Sequence, residues 1–458
     1  MAEPPSTDPD RAPGGRTSAA MASPSAASKR PPLRLLGLWR IPFFYGWVIV
    51  VVVFIAEFVA SGVGTFVTPL FFKELHSEMG WSLTMLTGAL TAQALANAGL
   101  SPIMGSLLDR FGARPVMLFG AIVAGLGLLM LSQIQEIWQF WFLYGTVGAL
   151  GLHEMGGFTG PVLITKWFSR SRGRAMAIAT LGTTAGGMVM APIVGWLIAS
   201  QGWRASWAIM GILVLVLMVP LIILFVRRQP EDMGLLPDGD RAEMNLDAKP
   251  LSARRRRFAG TEESWTMNEA MRTRTFWYMV IGFNLVNLSA SITVIHLVPF
   301  LTLQEGISAQ AAAYIVSIRL AGSSASRIIW GFAVEWFPMN ACLAVGFCAR
   351  AMIPLSLALL PYPANVIGAI AGSVLGGGFA VLQPMAFSNY FGRLHAGAIQ
   401  GAVRPFLTVS TLAGPLLIAF LYDTTGSFDL GFVIASSVGL ASPFLALLAT
   451  PPRRAKML

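Results

Sequence analysis

Runs of roughly twenty or more almost wholly apolar residues recur along this chain, from about residue 45 to about residue 450. A helix rising about 1.5 Å per residue needs about 20 such residues to cross the hydrocarbon of a bilayer. Backbone lying in hydrocarbon must also satisfy its polar groups internally, which leaves the helix as the form such runs take. Six runs precede residue 229, at 45–70, 83–108, 114–133, 137–167, 172–200 and 204–227. Six follow, at 275–302, 308–335, 340–360, 364–388, 395–421 and 428–449. The expected fold is an all-α membrane protein of twelve transmembrane helices in two six-helix bundles, residues 42–228 and 273–450. Charged residues make up 12% of the chain, about half the share in soluble domains.

The net charge of +10 does not imply nucleic acid, because the basic residues alternate between loops. With the first helix leaving the cytoplasm, the outer loops hold Lys73 and Arg204. The inner side takes Arg110, Arg114, Lys166, Arg170, Arg172, Arg174, Arg227, Arg228, the Arg254–Arg257 run, Arg393 and Arg453. That bias places both termini in the cytoplasm and the chain in the inner or plasma membrane. Residues 1–41, rich in Pro, Ser, Ala and Gly, read as a disordered cytoplasmic tail without the apolar core of a signal peptide. Residues 451–458 form a second tail, and 229–272 a cytoplasmic linker. Within the linker, Thr266 and Glu269 fit a capping box, so a short surface helix is expected there. Cys342 and Cys348 share one apolar segment and cannot bridge each other.

The halves echo each other. Gly173 to Pro192 resembles Gly397 to Pro415, and Gly202-Trp203-Arg204 is matched by Gly426-Ser427-Phe428. Between the second and third spans lies GSLLDRFGARP (105–115), in which Gly105, Leu107, Asp109, Arg110, Gly112 and Arg114 fit G-x-L-x-D-R-x-G-x-R. This resembles the loop motif of the major facilitator superfamily, and GFAVE (331–335) is a weaker copy between spans eight and nine. Further stretches resemble bacterial monocarboxylate and oxalate–formate type transporters. They are YGW (45–47), WFSRSRGRA (167–175), RRQPEDMGLLPDGD (227–240), EAMRTRTFW (269–277), HLVPFLTLQEGIS (296–308) and GPLLIAFLYDTTGSF (414–428). The resemblance implies the major facilitator fold, with two bundles rocking about a central site. It also implies that Gly105, Asp109, Arg110, Gly112 and Arg114 act as a cytoplasmic latch, the charged ones pairing across the bundles.

Charge inside a spanning helix is costly and therefore marks function. Arg327 lies eight residues before Glu335 and Arg404 nine past His395, each about 12–13 Å deep. A guanidinium matches a carboxylate with forked donors. In the monocarboxylate family an arginine in this part of the eighth helix binds the substrate carboxylate, and Ser326-Arg327 with Gly331 resembles that position. The animal branch has an aspartate four residues earlier, where this chain has Ser323. Oxalate–formate exchangers have one basic residue on the eighth helix and a lysine on the eleventh, a layout that Arg327 and Arg404 resemble.

Glu57 and Glu154 lie near mid-depth on the first and fourth helices and are candidates for coupling or charge pairing, with structural hydrogen bonding as the alternative. His153 adjoins Glu154 but points about 100° away. Arg319 is rotated about 80° from Arg327 and closer to the outer face, which suits an extracellular gate or a snorkelling residue. Arg350 suits pairing within its bundle or bilayer thinning around it, and His296 a structural hydrogen bond near the outer end, with a proton carrier as the alternative. Asn284 and Asn287 are candidates to line the substrate site or to glue helices together.

The leading expectation is secondary transport of a small mono- or dicarboxylate by alternating access, by proton symport or anion exchange. Efflux of an apolar or cationic compound is the first alternative. Drug–proton antiporters carry an arginine in the fourth helix and Gly-Pro-x-x-Gly-Gly in the fifth, whereas this chain has WFLYGTVGALG (141–151) and Ala191-Pro192 with Gly195-Trp196. A non-transporting receptor on the same scaffold is the second. No metal cluster, phosphate loop or nucleophile–base pair stands out, so neither an enzyme nor a cofactor is expected. The expected partners are the carboxylate, with or without protons, and lipid; nucleic acid is not among them, and the working unit is a monomer.

Overall fold

The computed structural model describes residues 34–35, 39–40, 43–239 and 264–452. Among the described residues, eight helical stretches are long and apolar enough to cross a membrane. They give α1 (Gly46–Met79), α3 (Ala113–Leu131), α7 (Arg274–Gln304), α9 (Met339–Leu359), α10 (Ala364–Phe391), α11 (Ala396–Thr425), α12 (Asp429–Leu448) and the long stretch Arg172–Phe225. That last stretch turns at Gly202, whose φ of 81° is a conformation glycine takes without strain. It therefore supplies α5 before the turn and α6 after it. Leu83–Phe111 is α2, Ala309–Trp336 is α8, and Ile137–Thr146, Val147–Gly157 and Thr159–Trp167 together form α4.

These last three are the more polar spans. α2 carries Gln93 and Asn97, α4 His153 and Glu154, and α8 Arg319, Ser323, Ser324, Ser326 and Arg327. All twelve expected runs fall on these helices; the first continues beyond its expected end, to Met79. α1, α4 and α7 each contain a π-helical segment, at Ser61–Thr65, Val147–Gly157 and Phe300–Gln304. Such wider turns re-aim side chains and are frequent at functional sites.

Helix association in lipid rests on close packing of small residues rather than on the hydrophobic effect. Gly182 and Gly186 of α5 lie directly on the Phe54 and Phe58 carbonyls of α1. In the second bundle, Phe283 packs on Phe347 at 4.9 Å between ring centroids and on Phe387 at 5.8 Å. Between the bundles the main contacts are α2 with α11 and α5 with α8, pairs that the internal repeat relates to each other.

Thr266 and Glu269 form the expected reciprocal capping bonds, at 2.8 and 3.3 Å, around the short helix Met267–Met271. The start of the linker is also ordered. Asp238 accepts the backbone N–H groups of Ser169, Arg170 and Ser171 at 2.7–3.0 Å, just before α5. Asp238→Ala removes all three acceptor contacts and is expected to cost about 1–2 kcal/mol. The readout is a lowered unfolding temperature of the purified protein, with a smaller drop for Asp238→Asn. Of residues 1–42, the described ones form a ladder in which Arg34 pairs Arg40 and Leu35 pairs Trp39. The rest of the expected tail, the Arg254–Arg257 run and Arg453 lie outside the described residues.

Candidate functional site

At the end of the molecule that carries the 105–115 loop, Asp109 reaches from α2 to the start of α11. Its carboxylate accepts the Gly397 and Ala398 amides at 3.2 and 2.7 Å and the Lys166 ammonium at 3.0 Å. Amides at the N-terminus of a helix are ready anion sites. Gly105 makes the approach possible, since a Cβ there would collide with the Gly397 carbonyl. Gly112, at φ 88°, turns the chain into α3, with the Arg228 side chain packed over it.

The arginines of the motif do not span the bundles, contrary to the expectation. Arg114 donates to the Ile223 carbonyl at 2.7 Å, inside its own bundle, and Arg110 is exposed over the Phe111 ring. The crossing partner of Asp109 is helix backbone rather than guanidinium.

The weak copy in the second half builds the same joint. Glu335, at the end of α8, accepts the Arg174 backbone N–H at 3.4 Å and its Nε–H at 3.0 Å, at the start of α5. Gly173 there has the Gly331 carbonyl where a Cβ would go. Between the two joints Arg172, 2% exposed, donates to Asn389 at 2.7 Å. Arg393 donates to the Lys166 carbonyl at 3.0 Å and to Glu231 of the linker at 2.6 Å. Lys166, Arg172, Arg174, Glu335 and Asn389 were not among the expected site residues. The WFSRSRGRA and GFAVE stretches held the signal.

Mid-membrane, Glu57 of α1 is buried and accepts the Thr183 hydroxyl of α5 at 3.0 Å. One turn earlier on α5, the Thr180 carbonyl accepts a bond from Arg327 of α8. Both Arg327 and Arg404 lie within electrostatic reach of Glu57, and Arg404 also of Glu154 and His153. Yet among the described residues neither guanidinium makes an ion pair with either glutamate, and the Arg404 guanidinium makes no protein hydrogen bond. Glu154, 1% exposed, keeps Oε2 without a donor, and the Nε of Arg327 is likewise unpaired. Two cations from one bundle thus face two carboxylates from the other with their hydrogen-bonding capacity largely unspent.

The remaining candidates separate from this group. Asn287 gives its amide to Leu407, Ser410 and Thr411 of α11 at 2.7–3.2 Å, and Asn284 to Val280 of its own helix at 2.8 Å. Asn287 thus spends its amide donors on α11, whereas Asn284 spends one of its two, so of the four expected substrate ligands Asn287 is the one whose donors are occupied structurally. Arg319 lines a cavity among α7, α8, α9 and α10, together with Arg350. His296 bonds the Pro415 carbonyl at 3.0 Å.

A family model described as the Major Facilitator Superfamily matches residues 49–404. Human monocarboxylate transporter 11 is 25% identical over 386 residues, covering 78% of this chain and 74% of that protein. The oxalate:formate antiporter of Oxalobacter formigenes is 23% identical over 388 residues, covering 83% and 86%. The crystal structure of the human organic anion transporter MFSD10 (TETRAN) superposes with a TM-score of 0.66 at 14% identity, covering 88% of this chain and 99% of that one.

Proposed function

We propose that this chain, which belongs to the Major Facilitator Superfamily, carries a small monocarboxylate together with a proton across the membrane. It is a multi-pass membrane transporter and not an enzyme. The observation that carries the finer reading is the open charge arrangement of Arg327 and Arg404 against Glu57 and Glu154.

Those four groups balance formally, two positive and two negative. A monocarboxylate entering between the arginines adds one negative charge in a low-dielectric setting, where uncompensated charge is costly. One proton taken up by either glutamate cancels it. The loaded and empty sites then carry the same charge, so either can be transferred between the two sides at similar cost. A dianion would need a proton on each glutamate, or exchange for another anion, to leave the charge unchanged.

The 105–115 loop is read as cytoplasmic from its basic flanks. The joints at Asp109 and Glu335 then close the cytoplasmic side. The relatives named for monocarboxylates and for oxalate and formate support a small anion as cargo. Plasma-membrane residence, cytoplasmic termini and a monomeric working unit accompany this reading.

The test is uptake by proteoliposomes loaded with no anion, driven by an inward proton gradient, across a panel of mono- and dicarboxylates. Accumulation of a monocarboxylate is expected to follow the gradient. In Glu57→Gln/Glu154→Gln, gradient-driven accumulation falls at least tenfold, while one-for-one exchange of the same anion persists. Uptake that ignores the proton gradient and requires an internal anion would replace symport by exchange.

A further inference from the structure

We propose that the second bundle contains an inorganic anion site of its own, in which an ion of chloride's charge and size sits between Arg319 and Arg350. α7 to α10 line a cavity of about 110 Å³ there, with Thr293, Arg319, Ser323, Arg350 and Ser373 among its walls. The space suits an ion and a few waters rather than an organic substrate, whose sites run to about 300 Å³ or more.

Charge points the same way. The carboxylates of α7 to α12 and their connecting loops are Glu305, Glu335, Asp423 and Asp429, all at helix ends. Glu335 is held by Arg174, Glu305 by Asn365, and Asp429 by Gln304 and Ser427. The charged groups acting on Arg350 are Arg319 and Arg327, both of its own sign, and among the described residues no carboxylate pairs with Arg319. Two guanidiniums in a bilayer interior without a counter-ion are an unfavourable pair.

Their hydrogen bonding is also incomplete. The Nε of Arg319 and the Nε of Arg350 are both buried without an acceptor. Arg350 is nevertheless oriented: its guanidinium lies over the Phe379 ring at 5.1 Å, and Nη1 makes a long 3.4 Å bond to the Gly376 carbonyl. A fixed donor fork beside a second, unpaired one is a receptor for an anion. An anion placed between them would supply both the missing charge and the missing acceptors. The site is separate from the Arg327–Arg404 group and does not depend on what that group carries.

The experiment uses purified full-length protein in detergent, in gluconate buffer at constant ionic strength, titrated with chloride and then bromide while the unfolding temperature is followed. A saturable rise is expected for the unaltered protein. Arg319→Gln and Arg350→Gln should move its midpoint at least tenfold higher, and Arg404→Gln less than twofold. The proposal is overturned if no saturable rise occurs, or if the midpoint is unchanged in Arg350→Gln. It is equally overturned if the response is lost in Arg404→Gln, which would put the ion in the central site. Should the arginine variants not fold, bromide anomalous diffraction from the unaltered protein decides. A peak within about 4 Å of both guanidiniums supports the site, and its absence there removes it.

Discussion

Arg404→Gln is expected to abolish carboxylate uptake, by about two orders of magnitude or more, while leaving the protein folded. Among the described residues the Arg404 guanidinium makes no hydrogen bond or ion pair, although Glu57 and Glu154 lie within its electrostatic reach. Removing it breaks no side-chain hydrogen bond that the fold uses, so the protein should remain folded. A bound carboxylate, by contrast, would lose its forked donors in a desolvated site. Truncating one partner of such a pair costs about 2–5 kcal/mol, or about thirty- to several-thousand-fold in affinity. Arg404→Lys keeps the charge without the fork and should fall between, about tenfold down. Arg327→Ala should also stop uptake, at the added cost of the bond to Thr180. Uptake in proteoliposomes, measured beside the unfolding temperature, separates loss of binding from loss of fold. Undiminished uptake by a folded Arg404→Gln protein would remove Arg404 from the site.

Much of this arrangement is legible in the sequence because lipid imposes simple rules. Apolar runs fix the spans, and every charge between their ends must be explained, which singles out Glu57, Glu154, Arg319, Arg327, Arg350 and Arg404 without any structure. Depth follows from counting residues, so the mid-membrane position of Arg327 and Arg404 is readable too. Azimuth is not. The rotation of about 80° between Arg319 and Arg327 is correct as helical geometry. It does not say that Arg319 looks into its own bundle toward Arg350. The amide donors of Asn287 were equally undetermined, because glue and ligand use the same chemistry until the position of α11 is known.

At the motif, sequence names the residues but not their partners. Asp109 meets backbone amides, which any sequence provides, and so its crossing contact with Gly397 and Ala398 leaves no mark in composition. The two arginines beside it suggested pairs that the geometry sends elsewhere. The copy at Glu335 was detectable only as a five-residue echo, because Trp336 replaces the arginine while the functional glycine and carboxylate remain.

That distinction sets up the second large effect. Gly105→Leu should trap the carrier with its motif end open and cut transport at least a hundredfold, although both arginines of the loop are untouched. A Cβ at 105 would run into the Gly397 carbonyl and the Ala398 backbone, neither of which can rotate away. The α2–α11 contact would have to widen, and Asp109 would lose the amides it accepts at 3.2 and 2.7 Å. The mid-membrane groups would be intact, so substrate should still bind from the open side. A bias of about 2.7 kcal/mol between two states is about a hundredfold in their ratio, and a clash between backbones exceeds what side-chain repacking absorbs. Gly173→Leu, where the obstacle is the Gly331 carbonyl, should act in the same sense, because the internal repeat makes it the same joint. Arg110→Ala should change transport less than threefold, since that side chain is exposed over Phe111 and holds nothing across the gap. Cysteine accessibility at Thr165 and Ser388, which touch at 3.3 Å across the closed joint, reads the state directly. Labelling at both positions should rise in Gly105→Leu, and protection equal to that of the unaltered protein would show that the glycine contact is not what holds this end shut.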